Sequence, residues 1–285
     1  MIISVDQLHL LTLNVGFAQH NGDWNWKNVR SPFARLYYVT EGEAKVCMGA
    51  DCFTLTPHHL YFIPAFTEHS YVCNAPFSHY YIHIYEDQQN GTDILDEFSF
   101  PFEVNAGSID LELIKRLAEI NPFLKLPDSN PQVYDNYPTL ISNIRLNRQS
   151  PLHDKIESRG ILDILMSRFF RRAIPKEDVK DNRIHQTITY IRKHIDSTMD
   201  IDMLADMSCM SKDHFIRVFK RETGETPNAY ITKRRLEKAE LALITTDLPV
   251  KDIAKMLGYD DCSYFNRLFR KNAGVTPQQY RGQNN

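Results

Sequence analysis

FIRVFKRETGETPNAY at residues 215–230 and FNRLFRKNAGVTPQQY at residues 265–280 are one unit written twice. Phe215/Phe265, Arg217/Arg267, Phe219/Phe269, Gly224/Gly274, Thr226/Thr276, Pro227/Pro277 and Tyr230/Tyr280 match at a constant offset of 50. Within each copy the apolar residues recur at three and four positions, which is a helical period. Gly224 and Gly274 then supply a left-handed stop, and Pro227 opens the next helix at its first turn. Upstream, IDMLADMS (201–208) and VKDIAKMLGY (250–259) each spell a shorter helix. The spacing therefore predicts two pairs of short helix, tight turn and second helix.

Ser211 is the expected N-cap of the second helix in the first pair, and Asp260 and Asp261 mark the turn in the second. Ala205 and Ala254 put a small side chain where the paired helices must approach closely. The second turn is one residue longer, since Ala205 to Phe215 is ten steps and Ala254 to Phe265 is eleven. At about 100° per residue, Phe215, Val218 and Phe219 share one face, and Asp213, Arg217 and Lys220 lie opposite. The second copy turns Phe265, Leu268 and Phe269 inward and Ser263, Arg267 and Arg270 outward. Each outer face is a short polar and cationic strip. Arginine pairs with guanine edges or phosphates, and Ser263 and Asn266 suit bases or backbone, so these are residue types expected of a helix in a major groove. Between the copies, PNAYITKRRLEKAELALITT (227–246) is one long helical pattern of about 27 Å, close to the roughly 34 Å of a DNA turn. Lys233, Arg234 and Arg235 on it are expected at phosphates or an acidic surface.

The net charge of −3 conceals an asymmetry: from residue 176 onward there are 19 basic against 16 acidic residues, and before it 14 against 20. The basic excess is small, so placement rather than total charge carries the polyanion expectation. Length and composition are those of a globular chain of two domains. The N-terminal MIISVDQLHLLTLNVGF lacks a basic stretch and is broken by Asp6, Gln7 and His9, so it does not read as a signal peptide. No apolar run reaches spanning length. Five cysteines (47, 52, 73, 209, 262) without a CxxC pair read as free thiols in a reducing cytoplasm.

Residues 1–105 hold short aromatic and β-branched runs, LYYVTEG, KVCMGADCFTLTP, LYFIPAFTEHSYVC and HYYIHIYED, which predict many antiparallel strands in a sandwich or barrel. Residues 106–175 change period: IDLELIKRLAEI, YPTLISNIRL and HDKIESRGILDILMSRFFRRA read as amphipathic helices. IPKEDVKDN (174–182) reads as a polar, strand-free linker, assigned to 176–182, ahead of an all-helical 183–285.

The run I-A-x-x-x-G-Y-x-D-x-S-Y-F-x-R-x-F-R-K-x-x-G-x-T-P-x-x-Y-R at residues 253–281 resembles the signature of the AraC-type family of bacterial transcription regulators. The resemblance implies two helix-turn-helix units joined by a long helix. It places base-reading positions at Asp213, Ile216 and Arg217 in the first unit and at Cys262, Ser263, Asn266 and Arg267 in the second, with Lys220 and Arg270 beside them. RLYYVTEGEAKV (35–46), the run at 55–69 and YYIHIYE (80–86) resemble the family's cupin-like sensor, a double-stranded β-helix barrel. That implies a domain that binds a small-molecule effector such as a sugar or serves mainly for assembly, promoter DNA and RNA polymerase as partners, and a homodimer made by the helical segment. The expected seam is Ile161, Ile164, Leu165 and Phe169.

His79, Tyr81, His83 and Tyr85 alternate along one strand and share a side, as Arg35 and Tyr37 do. Facing inward they line a polar pocket; facing outward they are a solvated strand face. Glu41, His69, His79, Tyr81 and His83 are the candidate effector residues. A metal-dependent cupin enzyme is the alternative, but its first motif needs HxH and a Glu where this chain has VTEGEAKV, so no metal, cofactor or catalytic residue is expected. A protein-binding scaffold without DNA is the other alternative.

Overall fold

The computed structural model describes residues 5–86, 94–135, 137–176 and 181–282. The chain divides into two compact units, the second beginning at Ile174.

In the first unit, β1 (Leu10–Asn21), β2 (Ala34–Gly42), β3 (Ala44–Met48), β4 (Asp51–Leu55), β5 (His59–Ile63), β6 (Ser70–Val72), β7 (Pro76–Glu86), β8 (Phe98–Ser99) and β9 (Glu103–Asn105) are followed by α1 (Ser108–Ile120), α2 (Pro131–Tyr134), α3 (Tyr137–Gln149) and α4 (Leu152–Phe170). The strands form a five-stranded sheet in the order β1-β7-β2-β5-β9 and a three-stranded sheet in the order β4-β3-β6. Their pairing is antiparallel. The alternation of side chains about each strand sorts them into two cores. Leu36, Tyr38, Leu60, Phe62, Ile82 and Ile84 pack with Ile114, Leu117, Leu162 and Met166 of α1 and α4. Tyr37, Val39, Tyr61, Ile63 and Tyr81 turn the other way, onto Val46, Leu55 and Tyr71 of the small sheet. The large sheet is thus covered on both faces, which is why residues 34–39 of β2 are all buried, Arg35 among them. β1, absent from the runs named above, pairs with β7 from Leu10↔Glu86 to Asn21↔Pro76.

Three expectations are corrected. Cys47 and Cys52 are direct partners across the β3–β4 hairpin and form a disulfide, because the two-residue reversal brings them face to face; Cys73, Cys209 and Cys262 are free. Ile161, Leu165 and Phe169 are buried against the sheet rather than offered as a seam, and only Ile164 of that set is exposed. A strand-free 174–182 does not hold either, since Ile174–Pro175 is a short strand, β10; residues 177–180 lie outside the described residues.

The second unit contains α5 (Asn182–Lys193), α6 (Ile201–Met207), α7 (Lys212–Thr223), α8 (Pro227–Thr245), α9 (Val250–Met256), α10 (Cys262–Ala273) and α11 (Pro277–Gly282). It has two hydrophobic clusters. Phe215, Val218 and Phe219 of α7 meet Ile184, Ile188, Leu204, Ala205, Tyr230 and Ile231. Phe265 and Phe269 of α10 meet Leu236, Ala239, Leu243, Ile253, Ala254 and Leu257. The first turn of α8 belongs to one cluster and its remaining length to the other. None of the described helices is long and apolar enough to cross a membrane.

Candidate functional site

Each helix pair in the second unit is set by a few residues. Asp200 caps α6 by accepting from the Asp202 amide, Thr226 caps α8 through the Ala229 amide, and Asp261 caps α10 through the Ser263 amide. Ser211 stands at the N-cap of α7 without a side-chain bond. Gly224 and Gly274 end α7 and α10 in the left-handed region at φ 82° and 79°. The tight turns use the same region at Cys209 (φ 53°) and Gly258 (φ 76°), 49 positions apart. The extra residue of the second copy therefore falls after Gly258, where Asp260 and Asp261 lengthen the approach to α10.

Asp213, Arg217 and Lys220 are exposed on α7, and Ser263, Arg267 and Arg270 are exposed on α10. Ile216 is half-buried and packs against the first cluster, so little of it is left to face a ligand. Cys262 and Asn266 are half-buried, with the Asn266 amide 4.0 Å from the Cys262 sulfur. His214, not singled out in the sequence, joins the α7 strip: its Nδ1 accepts from Arg217 Nη2 at 2.9 Å. Two of the three cations expected on α8 are committed inside the fold. Arg234 pairs with Glu237 at 3.0 Å and lies over the Tyr230 ring. Arg235 donates to the Ile195 and Ser197 carbonyls. Only Lys233 of the three is exposed.

The first unit holds a cavity of about 230 Å³. His20 of β1, Trp24 after it, Tyr37 of β2, and His79, Tyr81 and His83 of β7 form its walls, and Tyr134 and residues 125–129 complete them. The shared side of β7 therefore faces inward. Glu41 and His69 are not among the lining residues. Glu41 is exposed past a register shift in β2, and His69 lies deeper, bonding Thr67 O through Nδ1 and the Tyr71 hydroxyl through Nε2 at 2.7 Å.

Burial is the main force on the titrating walls. It holds His20, His79 and His83 below the ordinary imidazole value, and His69 at about 3. All four are neutral near pH 7. His83 Nδ1 donates to the Asn14 side-chain oxygen at 3.1 Å, whereas His20 Nε2 and His79 Nδ1 are buried with no hydrogen-bond partner. Burial also pushes the Tyr81 phenol up to about 12, and its oxygen accepts the Leu126 amide at 2.8 Å, fastening the 125–129 segment to β7. The charged lining residues, Asp23, Lys125 and Asp128, are all exposed, so the interior offers uncharged donors and acceptors among aromatic rings. No group of three or more His, Cys, Asp or Glu among the described residues is arranged to hold a metal ion.

The sequence also missed a buried ion pair next to Tyr134, one of the lining residues. Arg35, 1% exposed, reaches Asp135 just beyond α2 at 2.9 Å, donates to Ser31 Oγ at 2.7 Å and lies over the Phe33 ring. Ser31 also bonds Asp135. Nothing in the spacing of Arg35 and Asp135, one hundred residues apart, announces the pair.

A helix-turn-helix domain family model matches residues 204–283. SoxS, a regulatory protein of Escherichia coli K12, is 41% identical over 98 residues, covering 34% of this chain and 92% of that protein. The xylose operon regulatory protein of the same organism is 35% identical over 114 residues, 40% of this chain and 29% of that protein, so the chain spans under a third of that relative's length. An uncharacterized HTH-type transcriptional regulator of Bacillus subtilis, YobQ, is 28% identical over 211 residues, covering 65% and 85%. With the family model running from within α6 to the end of α11, and 92% of SoxS matched at 41% identity, the chain belongs to the AraC-type family of helix-turn-helix transcription regulators.

Proposed function

We propose that the chain regulates transcription by laying α7 and α10 in successive major grooves on one face of promoter DNA, under the control of a small molecule in the N-terminal cavity. The observation that carries the DNA reading is the matched presentation of two twelve-residue helices, each buried through its phenylalanines and exposed along a cationic strip. They are held apart by α8, whose 19 residues span about 28 Å. That length suits the advance of one DNA turn. Arg217 and Arg267 are the base or phosphate ligands at the centres of the strips, with Ser263 and Asn266 giving α10 more hydrogen-bonding range than Asp213 and Ile216 give α7.

The effector reading rests on the cavity. It is walled largely by strands, is aromatic in character, and leaves His20 Nε2 and His79 Nδ1 without partners. The two sheets of the first unit are taken as a cupin-like sensor, with the cavity walled by β1, β2 and β7 of the larger one. The cavity residues proposed for binding are His79, Tyr81 and His83 from the original set, with His20 and Trp24 added. A homodimer through the outer face of α4 is supported by Leu152, Ile156 and Ile164, which are exposed at multiples of four residues. RNA polymerase is the proposed downstream partner, and the cytoplasm the proposed location.

Selection of duplexes from a random-sequence pool by the purified chain, followed by footprinting, tests the DNA reading. Two protected segments about 10 bp apart on one face are expected. Salt-independent or unselective binding would overturn it.

A further inference from the structure

The two clusters of the second unit share α8 but few side chains, so what fixes the angle between the two helix pairs is a separate question from what folds each pair. Arg235 lies on α8 between Ile231, in the first cluster, and Leu236, in the second. Its Nε donates to the Ile195 carbonyl at 3.1 Å and its Nη2 to the Ser197 carbonyl, both in the loop after α5 that belongs with the first pair. Its guanidinium carbon lies 5.3 Å from the centre of the Tyr259 ring, part of the second cluster. Gly258, beside that ring in the turn before α10, leaves just enough space: a Cβ there would stand 2.9 Å from Arg235 Nη2 and 3.2 Å from the Ser197 carbonyl oxygen. The positive φ of Gly258 disfavours a side chain, and the guanidinium would have to shift to admit one. A planar fork that hydrogen-bonds two carbonyls while stacking on an aromatic ring is a task lysine cannot perform.

We infer that Arg235 is a positioning residue: it joins the 195–197 loop of the first helix pair to the Gly258–Tyr259 turn of the second, and thereby sets the DNA spacing at which α7 and α10 bind together. This rests on the two-groove reading proposed above. It removes Arg235 from the phosphate contacts and gives the glycine of the second turn a role its absence from the first turn, where Cys209 stands, does not require.

The test uses the full chain and a duplex selected by it from a random-sequence pool. Companion duplexes have one protected segment replaced, or one base pair inserted between the two segments. Arg235→Lys keeps the charge, so a phosphate contact would survive it. The expected result is binding about tenfold weaker on the intact duplex, where linkage of the two heads counts. Binding to duplexes with one segment replaced should be unchanged, and the preference against the inserted base pair should be lost. Gly258→Ala, which presses on the guanidinium from the other side, should weaken the same preference. An Arg235→Lys chain that keeps its spacing preference, or that loses affinity equally on every duplex, overturns the inference. If the wild-type chain is indifferent to replacing either segment, the two-groove reading fails. The clamp is then judged by hydrogen exchange without DNA: faster exchange at 195–197 and at 258–259 together in Arg235→Lys supports it, and unchanged exchange at either overturns it.

Discussion

Replacing Asp135 by asparagine removes the counter-charge of a guanidinium that is almost wholly buried. Arg35 and Asp135 are 2.9 Å apart, and at an effective dielectric of 20 that separation corresponds to an attraction of about 6 kcal/mol. The substituted side chain would still offer an amide oxygen, and Arg35 would keep its Ser31 bond and its place over Phe33. The contact is also one-point: Arg35 Nε and Asp135 Oδ1 have no partner. The net loss expected for D135N is therefore about 3 kcal/mol, the lower end of the range for breaking a buried pair. That is a large share of the roughly 5–15 kcal/mol by which domains are stable. Both tryptophans, Trp24 and Trp26, lie in the first unit, so urea titration followed by tryptophan fluorescence reports this unit in the intact chain. Substituting both partners, Arg35→Met with Asp135→Leu, should recover most of the loss because no buried charge remains. A D135N shift below about 1 kcal/mol, or a double variant no better than D135N, would refute a charge-based tie between β2 and the segment after α2.

Arg267→Ala should weaken specific DNA binding by about 1–3 kcal/mol if the guanidinium is bidentate to a guanine, with relaxed selectivity at one base pair in a mobility-shift series. Phe265→Ala empties a fully buried site in the second cluster and should cost about 3–5 kcal/mol, seen as a lowered melting temperature of the C-terminal unit by calorimetry. The four buried imidazoles make the first unit acid-sensitive. Their folded values lie below the unfolded value near 6.5, so the unfolded chain takes up protons first as pH falls. Stability should drop below about pH 6.5, with a slope of at most about 1.4 kcal/mol per pH unit for an imidazole neutral in the fold and protonated in the unfolded chain, and equal urea midpoints at pH 7.5 and 5.5 would contradict this. Gly16→Ala should disturb the cavity wall, because a Cβ there overlaps the Tyr81 hydroxyl; release of the 125–129 segment would appear as new proteolytic sensitivity, and wild-type resistance would count against that packing.

The helical half was legible because its signals are local. Phe at three- and four-residue spacing, Gly at each stop and Pro at the next start act within one or two turns, and the structure places helices within a residue or two of those marks. The strand half was legible in its alternation along β7 but not in its partners. Cys47 and Cys52 are joined through a hairpin whose register the spacing alone did not fix, and Ile161, Leu165 and Phe169, expected at a dimer seam, pack on the sheet instead. Glu41 was chosen for its place in a strand and is outside the cavity because the strand shifts register before it.

By itself, the sequence determined the two helix pairs, their glycine stops, the connecting helix and the family, since each depends on residues near one another in the chain. Tertiary structure alone decided where the cations of α8 go, that Arg35 meets Asp135, and that His20 and Trp24 join β7 around one cavity. Those outcomes depend on which distant groups burial brings together: a buried charge or polar atom must find its partner wherever the fold puts one.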